Sequence, residues 1–164
     1  MRTLNTLLRG CLWSAASVDE HGRVAGGVVT AEKAWSLCKK LEEKHKRCVF
    51  FDISSYEYSI SLLCQALRIE DVNSRIREMR SVFHITDDSS LVKTTLSQCV
   101  SESLGLSYLS LARAHAALDQ RQEAISACQT SLKCIKASKT ALQAGSDGSK
   151  THGTSPMELY VYSR

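Results

Sequence analysis

The sequence predicts an all-α fold, an α-solenoid of short antiparallel helix pairs stacked side by side. Three observations carry this. The 164 residues contain one proline and eight glycines, too few turn formers for a many-stranded sheet protein. Apolar residues recur at helical spacing: Ile60, Leu63, Cys64 and Leu67 form one stripe, and Ile69, Val72, Ile76 and Met79 a second. Clusters of capping residues, Asp52 with Ser54 and Ser55 and then Asp87 to Ser90, punctuate the chain between such stripes.

Taken in order, helices are expected over 3–15, 31–46, 56–67, 69–82, 91–103, 105–118 and 121–138. The first, within MRTLNTLLRGCLWSAAS, places Leu4, Leu7, Leu8, Cys11 and Leu12 on one side. The same stretch has two arginines, several hydroxyls and no acid before Asp19, which is also the composition of an organellar presequence; the repeat pattern below favours the helix. Gly22, Gly26 and Gly27 mark an inserted loop at about 16–30. Residues 144–155, AGSDGSKTHGTS, read as a flexible linker. Beyond it Ser155, Pro156 and Glu158 make a capping box that opens a further helix at 156–164.

Paired short helices cannot bury their apolar faces alone, so neighbouring pairs must stack. A weak internal period supports this arrangement. RTLNTLLRGCLW aligns without a gap on SSYEYSISLLCQAL, Leu8 on Ile60 and Cys11 on Leu63, and EKAWSLCKKL aligns on EDVNSRIREM.

Composition limits the function. Charged residues at 23% and a net charge of +4 tolerate a polyanionic partner without demanding one. Seven cysteines without a C-x-x-C pair, most of them on apolar stripes, read as reduced and buried. No apolar run approaches the roughly 18 residues of a membrane span. Hydrolase, phosphate-loop, zinc-protease and deaminase motifs are missing, so neither catalysis nor a cofactor is expected. His84 and His115 have no second ligand at useful spacing, and His115 reads as a packing residue. The basic run KKLEEKHKR, Lys39 to Arg47, and the arginines Arg75, Arg77 and Arg80 read as solvated helix faces.

Residues 53–87 resemble a pentatricopeptide repeat (PPR). Tyr56, Ile60, Leu63 and Cys64 match its first helix, Ile69, Glu70 and Met79 its second, and Asp87 its closing aspartate. Residues 1–52 look like another copy, interrupted by the inserted loop and closed by Asp52. After a connecting helix at 88–104, residues 105–143 are similar to a tetratricopeptide (TPR) helix pair through Tyr108, Leu111, Ala112, His115, Leu118, Ala124 and Cys128. Because Met1 falls at the very start of a repeat, without a capping helix, and Arg164 falls inside what looks like a new helix, the chain reads as a piece of a longer array.

The resemblance implies binding of single-stranded RNA in a mitochondrion or chloroplast, with roles in RNA processing, stability or translation. In the family, a polar residue after the first-helix tyrosine position and the repeat's last residue together read one base. That assigns RNA-binding roles to Asn5 with Asp52 and to Glu57 with Asp87. Asn–Asp is the pairing used mostly for uracil, whereas Glu57 departs from the usual Asn, Thr or Ser. The alternative implied by the TPR-like unit is a protein-interaction scaffold, its inner face gripping a peptide or a subunit without RNA contact.

Overall fold

The computed structural model describes residues 6–10, 23–44, 51–85 and 95–146. The fold is all-α, and no strand occurs among the described residues. A helical segment over 6–10 (α1) buries Leu8. It is followed by α2 (Arg23–Lys44), α3 (Ile53–Gln65), α4 (Ile69–Val82), α5 (Thr95–Ala117) and α6 (Arg121–Ser146).

Helix α3 begins where the sequence places a cap. Asp52 has an extended backbone, and its carboxylate accepts from the Ser55 amide and the Ser55 hydroxyl, each at 2.9 Å. That satisfies donors the helix itself leaves without a partner. Helix α4 covers the expected 69–82, with Glu70 and Asp71 favourably placed in its first turn.

The helix ends share one device. Leu67, His84 and Asp119 have φ of 56°, 54° and 56°. The next amide reaches back to the third-last helical residue in each case: Arg68 to Leu63 at 3.0 Å, Ile85 to Arg80 at 2.8 Å and Gln120 to His115 at 2.9 Å. These are Schellman closures built on non-glycine residues, and they set tight turns after α3, α4 and α5.

Helices α3 and α4 form an antiparallel hairpin, with Tyr56 at the start of α3 against Phe83 at the end of α4, ring centres 6.0 Å apart. Helices α5 and α6 form another. Ser138 Oγ donates to Glu102 at 2.9 Å and Ser131 Oγ to the Gly105 carbonyl at 2.7 Å, while the far ends meet at the Asp119 turn. Between the hairpins, Glu57 in the N-terminal half of α3 meets Ser103, whereas Gln65 and Leu67 share a groove with Ala114 and Ala117. Helices α3 and α5 therefore run in the same direction. Helices α2 and α4 do so too, since Glu32 meets Arg75 and Lys39 meets Glu78.

The core is continuous from Leu8 through Trp35, Tyr56, Ile60, Leu63, Val72 and Met79 to Leu104, Leu111 and Cys134. Trp35 holds its aromatic part together, 4.2 Å from Phe51 and 5.1 Å from Tyr56 between ring centres.

Three expectations are corrected. The loop at 16–30 gives way to helix from Arg23 onward, and a buried stripe of Val28, Ala31 and Trp35 begins directly after Gly26 and Gly27. The separate helices at 91–103 and 105–118 are one helix, Thr95–Ala117. Gly105 does not break it; a Cβ there would lie 2.9 Å from Ile135 Cγ1 and 3.3 Å from the Ser131 carbonyl oxygen, so glycine permits α6 to approach. Helix α6 also runs on to Ser146, through the first residues of the expected linker. Its buried face takes Ala127, Ser131, Cys134 and Ser138, leaving Cys128 exposed.

Candidate functional site: the groove between α3 and α5

The parallel pair α3 and α5 encloses a groove of about 460 Å³. Glu57, Ser61 and Gln65 of α3 and Ser110, Arg113 and Ala117 of α5 line it. These positions recur every four residues on α3 and every three or four on α5, so each helix turns one face toward the other. Apolar walls come from Cys64, Leu67 and Ala114. Burial pushes the Cys64 thiol up to about 12, so at neutral pH it is a protonated wall group and not a nucleophile.

Glu57 lines the groove from α3. One of its oxygens accepts from Ser103 Oγ at 2.7 Å, which ties the N-terminal half of α3 to α5 and orients the carboxylate. Its neighbour Tyr56 turns the other way. The ring is buried among Trp35, Phe51 and Phe83, and its hydroxyl donates to Glu78 at 3.2 Å. Burial first, and the Glu78 carboxylate second, raise the Tyr56 hydroxyl well above its ordinary range. The tyrosine packs and the following residue borders the groove, the alternation that the sequence pattern implies.

Of the four sequence-assigned positions, Asn5 and Asp87 lie outside the described residues. Asp52 caps α3 through the Ser55 amide and hydroxyl. Glu57 borders the groove while bonded to Ser103. The partners Ser61, Gln65, Ser110 and Arg113 were not assigned from sequence. Only the facing of α3 by α5 brings them together, and that facing has no local signal.

No protein-family profile matches this chain, and the comparisons found no similar curated protein and no similar solved structure.

Two basic features expected to be solvated are instead built into the structure. Arg75 has a side chain only 9% exposed. Its guanidinium carbon lies 3.7 Å from the Trp35 ring centre, and Nη2 donates to both Glu32 oxygens at 3.0 Å. Lys39 pairs with Glu78 and sits 4.7 Å over the Phe51 ring. Both cations are drawn inward because α2 and α4 face each other across aromatic surface. The rest of the basic run from His45 onward lies outside the described residues. His115 is buried and hydrogen-bonded to Gln120 at 2.7 Å across the turn into α6. The described residues hold no group of three or more metal-ligating side chains, and none of the helices they form is long and apolar enough to cross a membrane.

Proposed function

We propose that this chain is a helical-repeat binding module whose inner surface, the α3–α5 groove, takes an extended segment of a partner protein. The repeat reading draws on direction: successive first helices, α3 and α5, run parallel, as do successive second helices, α2 and α4. A stack of like pairs requires that relation.

The observation that carries the choice of ligand is the lining. The groove combines one carboxylate, one guanidinium and neutral hydroxyl and amide groups with apolar walls. A polypeptide presents matching backbone donors and acceptors together with side chains. A nucleic-acid strand needs a track of cations for its phosphates. Here Glu57 and Arg113 balance formally, while Arg75 and Lys39 are engaged elsewhere. Asp52, the repeat-closing residue of the base-reading pair, is engaged as a helix cap.

The test is selection from a displayed peptide library, followed by anisotropy measurements on the native chain and on the groove-filling variant S61R/A117R. Selected peptides are expected to bind the native chain and to lose roughly tenfold or more in affinity for the variant. Binding of single-stranded RNA by the native chain, with no peptide recovered, would favour the RNA reading instead.

A further inference from the structure

The two charged side chains of the α3–α5 groove are set well apart along it. Glu57 is held level with Ser103 by their 2.7 Å hydrogen bond. Arg113 follows Ser103 by ten residues on α5, which at helical rise is about 15 Å. One Glu57 oxygen takes the Ser103 hydroxyl, and the other is left for a ligand. Arg113 is exposed, and no hydrogen bond or ion pair ties it to another described residue. Between the two charges the lining is neutral: Ser61, Gln65 and Ser110 supply hydroxyl and amide groups, and Cys64 adds apolar wall.

We infer that the groove selects a partner segment carrying a basic and an acidic residue separated by about three or four uncharged ones. The basic side chain meets Glu57 and the acidic one meets Arg113. This rests on the peptide-binding reading of the groove and specifies its ligand. An extended chain advances about 3.3 Å per residue, so about 15 Å corresponds to four or five steps. A carboxylate offers two acceptors to the guanidinium fork of Arg113, and a lysine or arginine meets a carboxylate that Ser103 has already oriented. The same arrangement rejects other segments: a wholly acidic one is repelled at Glu57 and a wholly basic one at Arg113. The acid is a side chain rather than a chain terminus, because the groove continues beyond Arg113 to Ala117, one turn farther along α5.

The test is peptide selection on the native chain, followed by anisotropy with the native chain, S61R/A117R, E57Q and R113E. E57Q keeps an acceptor for Ser103, and R113E changes an exposed side chain, so both leave the packing in place. Selected peptides are expected to carry the basic–acidic pair at this spacing and to bind equally well with free or amidated C-termini. They should lose roughly fivefold in affinity for E57Q and roughly tenfold or more for R113E. Replacing the peptide's acidic residue by lysine should restore binding to R113E and weaken binding to the native chain. Peptides that S61R/A117R rejects, but that lack the pair or bind E57Q and R113E like the native chain, would overturn the inference and leave the groove reading standing. So would binding lost on amidation, or an R113E loss that the lysine peptide does not recover. Recovery of no peptide would overturn both.

Discussion

Arg75 lies over Trp35, guanidinium carbon 3.7 Å from the ring centre, while its Nη2 is shared between the two oxygens of Glu32. The contact joins α4 to α2 across a sequence separation that no local pattern spans. Burial lowers the Arg75 pKa, and the carboxylates of Glu32 and Glu78 oppose that shift. Arg75 Nη1 is buried without a hydrogen-bond partner, so the stack on Trp35 and the Glu32 pair are what offset its desolvation. R75A is expected to lower unfolding stability by about 2–4 kcal/mol, and R75K by less, because lysine keeps the charge and loses the planar stack. Urea unfolding of R75A, W35A and the double variant checks this; additive losses would show that the two side chains do not interact.

Gly105 is a packing residue. G105A should raise intrinsic helix propensity by about 1 kcal/mol, yet its new methyl meets Ile135 Cγ1 at 2.9 Å and the Ser131 carbonyl oxygen at 3.3 Å. We expect a net loss of about 1–2 kcal/mol, since both neighbours sit on a packed helix. Thermal unfolding reads the sign directly. A stabilised G105A would mean that α5 and α6 lie farther apart than described.

At Asp119 the sign reverses. Its φ of 56° closes α5 in a left-handed turn, and its ion pair with Arg121 is largely exposed. D119G relieves the backbone cost and gives up little, so it should stabilise the chain by about 0.5–1 kcal/mol. A loss of stability would show that the carboxylate contributes more than its exposure implies.

Alkaline pH should destabilise the fold. Cys64, ordinarily near 9.0, is pushed up to about 12 by burial, and the Tyr56 hydroxyl is raised from 10.0. Both groups ionise more readily in the unfolded chain, which binds fewer protons than the native one above pH 9. Stability is therefore intact below about pH 9 and falls as pH climbs through the range toward 12, by up to about 1.4 kcal/mol per pH unit for each group. Urea midpoints measured from pH 7 to 10.5 test this, and C64A should remove the part that begins near pH 9.

The sequence was readable wherever one helix decides its own fate. The stripes through Ile60 and Met79, the Asp52 cap and the inward Tyr56 all follow from spacing and capping chemistry. It misled where a residue has two uses. Gly105 marks a break in local terms, but here it serves a helix contact that lies on another element. Gly26 and Gly27 likewise signalled a loop, and the burial of Val28 overrides them. Arg75 and Lys39 look like surface cations until α2 and α4 are set face to face. Of the groove's lining, Glu57 is a residue the sequence singles out, whereas Ser110 and Arg113 join it only through the pairing of α3 with α5.

Amide-shift mapping by NMR with a selected peptide tests the proposed peptide-binding role of the α3–α5 groove most directly. The amides of Ser61, Gln65, Ser110 and Arg113 are expected to shift on titration, with those of Ile125 and Leu132 on α6 unmoved. Shifts confined to other faces, or a groove that responds to single-stranded RNA and to no peptide, would contradict it.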